Sequence, residues 1–251
     1  MKDRVTIVIP FKNTGNTDEL LITLRSIEKN AKFNYQIVII GDAPEWLNKE
    51  SITVINPDIV PAEVNPKAFN VINKMRFATE NDIIDNEILM TYDDIVFLNP
   101  VKKSDISEAV ALGMIPEDPN HPWNGSAAWV NVMNNTIAAL KRNKMSMYNY
   151  ETHLPRLFAK DKLAQLFAKF GFKKRAYMIP TLYFNEYAKK MRRLDKTPKN
   201  TKIGLYADGD FEKRTEDFKT HLFLNWSENQ WTPELKEYLF SIFPEKSRFE
   251  I

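Results

Sequence analysis

Residues Val5-Thr6-Ile7-Val8-Ile9-Pro10-Phe11 form an almost unbroken apolar run rich in β-branched side chains. A strand with one wet face alternates polar and apolar residues; one that is apolar throughout must be covered on both faces. This run therefore predicts a buried parallel strand, stopped by Pro10, with helices on either side. Gln36-Ile37-Val38-Ile39-Ile40-Gly41 repeats the pattern and ends at glycine, Ile52 to Ile55 is a shorter third copy, and Glu87 to Tyr92 a fourth that runs into Asp93-Asp94. Between the first two, Asn13 to Thr17 is turn-forming, and Thr17 or Asp18 can N-cap a helix whose Leu20, Leu21, Leu24 and Ile27 recur at helical spacing. Asn70 to Thr79 reads as a second helix.

Strand, helix, strand, strand, helix, strand predicts an α/β fold: a mostly parallel, Rossmann-like sheet flanked by helices. The C-terminal half is expected to be more helical, with helices over Asn135 to Asn143, Arg156 to Phe170, Pro180 to Met191 and Pro233 to Phe243, and a late strand over His221 to Asn225. Leu194 to Gly209 is polar and basic and is expected to be mobile. The length of 251 residues fits one domain, divided into an α/β half over residues 1–130 and a more helical half over 131–251.

Ligands of such sheets bind beyond the carboxyl ends of the strands. Asn13 after the first strand, Asp42 after the second and Asp93-Asp94 after the fourth are thus the polar residues to inspect. Two adjacent carboxylates repel one another, and a cation relieves that repulsion. Hard oxygen donors suit Mg²⁺ or Mn²⁺, which bind through one or two carboxylates together with substrate phosphates. Asp94 and Asp93 are therefore candidate metal ligands, and Asp42 a candidate acceptor for a nucleobase or ribose hydroxyl. Arg25, on the first helix, can clamp phosphate bidentately or pair with a structural carboxylate such as Glu28. His153 and His221 are candidate bases, acids or metal ligands, with Glu151 a further candidate base. Trp123, Trp129 and Trp226 can stack on a sugar or a base, Trp129 equally well as core.

Composition excludes several classes. Cysteine is absent, which removes disulfide scaffolds and thiolate metal sites, and together with the lack of a signal-like N-terminus suggests the cytoplasm. No apolar run is long enough for a membrane span. The 7 glycines are not clustered, which argues against a nucleotidyltransferase phosphate loop. Basic residues 169–202, Lys189, Lys190, Arg192 and Arg193 among them, are opposed only by Glu186 and Asp195 and can attract a polyanion. A non-catalytic polyanion-binding module would use that stripe without needing the acidic pair.

The opening strand with its following Lys12-Asn13, and the acidic pair after a later strand, resemble the A-type glycosyltransferase fold. More specifically, Asp18-Glu19-Leu20 through Lys29, Ile37 to Ile40, Pro44-Glu45-Trp46-Leu47 and Tyr92-Asp93-Asp94-Ile95-Val96-Phe97 are similar to the second block of the Stealth family of sugar-1-phosphate transferases. Thr152-His153-Leu154-Pro155-Arg156 resembles its third block, and Leu222 to Asn225 with Phe243-Pro244-Glu245-Lys246-Ser247-Arg248-Phe249-Glu250 its fourth. The family's first block, a strand ending in a Trp-Val-Asp-like sequence, is missing here. The resemblance implies a nucleotide-diphosphate sugar as donor, bound by residues 1–130, an acceptor side in residues 131–251, and roles for His153 and Asp94. Asp94 and Asp93, with His221, would complete the shell of Mn²⁺ or Mg²⁺. Asp42, Arg25, Asn13 and, through a ribose hydroxyl, Asp93 would face the nucleotide. The reading is a metal-dependent sugar transferase acting on a hydroxyl of a glycan or of DNA carrying a hydroxylated base, with sugar-1-phosphate transfer as the alternative.

Overall fold

The computed structural model describes residues 4–57, 66–116, 126–172, 175–193 and 201–251. The chain runs β1 (Val5–Phe11), α1 (Asp18–Asn30), β2 (Tyr35–Gly41), β3 (Thr53–Ile55), α2 (Pro66–Glu80), β4 (Glu87–Met90) and β5 (Ile95–Phe97). It continues through α3 (Lys103–Ser107), β6 (Val110–Ala111), β7 (Gly113–Met114), α4 (Ala127–Arg142), β8 (Tyr148–Asn149), β9 (Arg156–Ala159), α5 (Lys160–Phe170) and α6 (Ile179–Tyr187). It closes with β10 (Arg192–Arg193), β11 (Lys202–Leu205), α7 (Asp210–Arg214), β12 (Phe223–Trp226) and α8 (Pro233–Ile242). This is a mixed α/β fold whose central sheet has the order β3-β2-β1-β4-β9. The first four strands are mutually parallel and β9 runs antiparallel along the edge of β4.

Every residue of β1 is buried, as its continuous apolar run demands. Pro10 does not stop the strand: it pairs with Ile40 of β2, at a level that β4, in register only with Thr6 to Val8, does not reach. A proline is tolerated there because its missing N–H faces no partner strand. Arg156 to Ala159 is likewise strand, not helix; the helical period begins at Lys160. The free edge of β4 takes up these four residues, and that gain outweighs their local helical pattern. The stretch expected to be mobile contains β11, parallel to β12, while residues 194–200 lie outside the described residues.

A second sheet, β11-β12-β5, is joined to the first through α1. One edge of β5 pairs with β12; the other meets a helix, which has no backbone groups to offer it. Thr23, Ser26 and Asn30, on one face of α1, fill the gap. Asn30 Nδ2 donates to Phe97 O (2.6 Å), Phe97 N donates to Ser26 Oγ (3.0 Å), and Thr23 Oγ1 donates to Asp93 O (2.7 Å) and Ile95 O (3.3 Å). Each such group left unpaired in the interior would cost about 1–3 kcal/mol, so these polar residues on an otherwise apolar helix face are structural. They also fix the turn that carries Asp93 and Asp94.

Candidate functional site

Parallel strands end on the same side of a sheet, and here that side collects the acidic residues. Asn13 N donates to Asp42 Oδ2 at 2.8 Å, joining the tips of β1 and β2, while Asn13 Oδ1 accepts from Gly15 N at 2.9 Å and shapes the loop. Gly41 precedes Asp42 with φ +133°, and a Cβ placed on it would lie 1.9 Å from the Phe11 carbonyl oxygen and 2.6 Å from Lys74 Nζ. Only glycine allows β1, β2 and this lysine to converge.

Lys74 carries no signal in the sequence beyond its place on α2, yet it is buried and donates to Phe11 O at 2.5 Å. Burial holds its pKa down, against the pull of Asp42 and Asp93, with Lys12 pushing the same way as burial. Its amino group thus acts on both acidic strand tips, Asp42 and Asp93.

Because β9 is antiparallel to β4, its start lies beside the end of β4: Arg156 pairs with Met90. The segment before it, Glu151 to Pro155, is thereby carried to the same rim as Asp93 and Asp94. Glu151 is pushed up to about 7 by burial, against the opposing pull of Arg156 and of donors from Thr181 in the first turn of α6. Its Oε1 is buried without a hydrogen-bond partner among the described residues. Arg156 is itself lowered to about 10 by burial, partly restored by Glu151 and Tyr150, and donates to the carbonyls of Val110 and Tyr150 at 3.3 and 3.4 Å. Burial also raises the Tyr92 hydroxyl, with Glu151 and Asp94 adding to the effect.

His153 has φ +49°, an unusual left-handed backbone for a residue with a Cβ. Lys202 Nζ donates to Thr152 O at 2.9 Å and holds the turn from the side of β11. Burial, then Lys202 and Arg156, lower the imidazole to about 4, so it is neutral at physiological pH. The residue as a whole is nevertheless exposed to solvent. Crowding by protein on most sides combined with open access describes a side chain in the wall of a cleft. Lys202 is lowered to about 7 by burial and by Arg156, against the pull of Asp94.

Asp42, Asn13, Asp93, Asp94, Glu151 and His153 therefore share one rim. Arg25 and His221 do not. Arg25 grips Glu250 with two bonds, Nε to Oε1 at 2.9 Å and Nη2 to Oε2 at 2.7 Å, and Nη1 donates to Phe243 O at 3.1 Å. Glu250 also accepts from Ser247 N and Oγ at 2.7 and 2.8 Å, and Phe249 is buried. The partner of Arg25 is a carboxylate, as one of its two expected roles required, but it is Glu250 and not Glu28. The terminal Phe-Pro-x-x-Ser-x-Phe-Glu pattern is thus a clamp on α1. His221 fails for a reason of register: in the antiparallel β12–β5 pair, Asn225 stands opposite Ile95, while His221 falls beyond Phe223 at the other end, where its carbonyl accepts from Asn99. Its ring bonds Asp217 O at 2.8 Å. Trp226 is buried, stacked on Trp231 at 5.0 Å, with Nε1 donating to Glu19 Oε1 at 2.6 Å; it is core rather than a sugar platform. Trp123 lies outside the described residues.

Asp93 and Asp94 offer two hard oxygen donors, and among the described residues no third histidine or carboxylate completes a cluster of three. Such a set suits Mg²⁺ or Mn²⁺, whose remaining positions are filled by phosphate oxygens and water, and not a closed protein cage. The basic stripe is dispersed: Lys169 pairs with Glu186 at 2.8 Å, Arg192 with Glu108 at 2.7 Å, and Lys202 turns into the rim, while Lys189 and Lys190 are exposed. Lys173, Lys174, Lys196 and Lys199 lie outside the described residues. No helix among the described residues is long and apolar enough to cross a membrane.

No protein-family model and no curated protein sequence matches the chain. Among solved structures it is similar to the apo-form glycosyltransferase GlyE of Streptococcus pneumoniae TIGR4, at 10% identity and TM-score 0.48 over 96% of this chain and 60% of that one. It is also similar to a glycosyltransferase involved in the glycosylation of the major capsid of PBCV-1, at 13% identity and TM-score 0.42 over 94% of this chain and 98% of that one. The chain thus spans about 60% of the length of the GlyE chain it matches. Similarity this low assigns no activity, which must come from the residues themselves.

Proposed function

We propose that the chain is a glycosyltransferase of the A-type architecture, moving a sugar from a nucleotide-diphosphate donor to a hydroxyl acceptor. The observation that carries this reading is the rim itself: the ends of β1, β2 and β4 present Asp42, Asp93 and Asp94, and antiparallel β9 brings Glu151 and His153 alongside. The nucleoside is assigned to Asp42 and the Asn13 loop. Asp93 and Asp94 would hold Mn²⁺ or Mg²⁺, which when bound neutralises the charge of the diphosphate leaving group. In the transfer, the acceptor oxygen forms a bond to the anomeric carbon, the bond from that carbon to the diphosphate oxygen breaks, and the acceptor proton passes to a base. Glu151, titrating near neutrality, has the affinity such a base needs. His153, neutral and accessible, orients the acceptor hydroxyl or donates to the diphosphate. A cytoplasmic reaction fits a chain without cysteine.

Attack at the β-phosphate instead would transfer sugar-1-phosphate, and the nucleotide product separates the two: a diphosphate for sugar transfer, a monophosphate for sugar-phosphate transfer. Should the acceptor be a polyanion, Lys189 and Lys190 are the exposed contacts, and activity would fall steeply with salt. The class is tested by a thermal-shift screen of nucleotide sugars with and without Mn²⁺. Stabilisation by one donor, dependent on metal and lost in Asp94→Ala, is the expected result. No response to any donor, or a response indifferent to Asp94, would overturn the reading.

A further inference from the structure

Tyr206 is 53% exposed, an unusual position for a large ring, and three features fix it in place. Lys202, Gly204 and Tyr206 project from one side of β11 and its continuation, while Ile203 and Leu205 are buried on the other. Across the parallel register Gly204 stands beside Asn225, which in turn stands opposite Ile95, the neighbour of Asp94. The Tyr206 hydroxyl donates to Asn225 Oδ1 at 3.0 Å and accepts from Lys202 Nζ at 2.7 Å.

The ring lies back over Gly204, where a Cβ would meet its Cε2 at 2.2 Å and its hydroxyl at 2.7 Å. One ring face is thus turned to the strand and the other to solvent. Lys202 Nζ is 5.4 Å from the ring centroid, close to its hydrogen bond plus the hydroxyl's own reach from the ring centre. The ammonium therefore lies along the long axis of the ring and covers neither face. With its hydroxyl committed to two protein partners, the side chain has only its outer face to offer a ligand.

Among the acidic residues of the rim, Asp94 acts on both Tyr206 and Lys202 and Asp42 on neither, which sets that face apart from the strand tip assigned to the nucleoside. Lys202 also ties it to Thr152, and so to the segment bearing His153 and Glu151, the proposed base towards the acceptor. We propose that the outer face of Tyr206 is the platform for a pyranose ring of the acceptor, which stacks its C–H face on the tyrosine, with Lys202, Asn225 and the bare Gly204 setting the tilt. The inference rests on the glycosyl-transfer reading for its occupant. The Tyr206 hydroxyl takes no part in the chemistry.

The probes are methyl glycosides of glucose, galactose, mannose and N-acetylglucosamine, observed by saturation-transfer NMR on the full chain, with stabilisation by nucleoside diphosphates plus Mn²⁺ measured in parallel. Aromatic contacts of this kind change affinity roughly 3- to 10-fold. The expected result is saturation of the ring C–H protons of at least one glycoside, weakened by that factor in Tyr206→Ala and also in Gly204→Ala, which keeps the tyrosine but displaces its ring. Tyr206→Phe should retain more of the signal than Tyr206→Ala. Tyr206 is exposed, so its alanine variant, with folding checked by circular dichroism, decides the matter even if Gly204→Ala does not fold. An unchanged signal in Tyr206→Ala, no signal from any glycoside, or a Tyr206→Ala loss confined to nucleotide stabilisation would each overturn the proposal. If nucleotide stabilisation survives while the platform fails, glycosyl transfer stands; if no nucleotide binds at all, the parent reading falls with it.

Discussion

Glu151→Gln replaces a buried carboxyl with a neutral group of the same shape, and the pH dependence of the result can be worked out in advance. In an unfolded chain this carboxyl titrates near 4.5; in the fold it holds its proton to about 7, chiefly because burial penalises the anion. Between those two values the folded state binds more protons than the unfolded state, so unfolding free energy falls as pH rises. At about 1.4 kcal/mol for each pH step, the wild type should lose about 3 kcal/mol between pH 4.5 and 8 through this group alone. Glutamine carries no such loss. Arg156, held near 10, keeps its charge throughout and so does not blur the comparison. Urea unfolding of both proteins at half-unit intervals from pH 4.5 to 8 gives the difference directly, since contributions from the other titrating groups cancel. The variant should gain steadily on the wild type, by about 3 kcal/mol at the alkaline end. A difference that stays flat, or that moves in favour of the wild type as pH rises, would show that Glu151 is ionised in the fold and unsuited to taking a proton near neutrality. In the same variant, turnover should drop by about 10²–10⁴-fold with donor binding retained, the usual loss for a missing general base.

Asp94→Asn should abolish the extra stabilisation that Mn²⁺ confers on a nucleotide-bound protein while leaving the unliganded melting temperature nearly unchanged, as read by differential scanning fluorimetry. Gly41→Ala should cost more than about 3 kcal/mol in urea unfolding, because it combines a forbidden φ with a backbone clash and displaces Lys74 from the Phe11 carbonyl. Glu250→Gln should cost about 1.5–3 kcal/mol by removing the charge from a part-buried bidentate pair, yet leave the thermal-shift increment from donor intact, since Arg25 is held by the C-terminal clamp.

What the sequence disclosed and what it hid divide along physical lines. The parallel strands were legible because burial on both faces removes all alternation from β1 and β2, and the positions of Asn13, Asp42, Asp93 and Asp94 followed from strand direction alone. Arg156 to Ala159 was not legible as strand: four residues joined to a helix keep the helical period, and only the open edge of β4 selects the extended form. Lys74 and Lys202 were hidden because a lysine that turns inward looks like one that turns to water. Yet they alter the inference drawn from the acidic pair. Repulsion between Asp93 and Asp94 suggested a cation, but Lys74 acts on Asp93 and Lys202 on Asp94, so lysines of the protein itself already offset part of that repulsion. The demand for a divalent ion then comes from the diphosphate, whose charge two partly desolvated lysines cannot balance alone. It follows that metal should bind weakly to the unliganded protein and tightly only together with the nucleotide, and the linkage is reciprocal: metal should raise nucleotide affinity by the same factor by which nucleotide raises that of the metal.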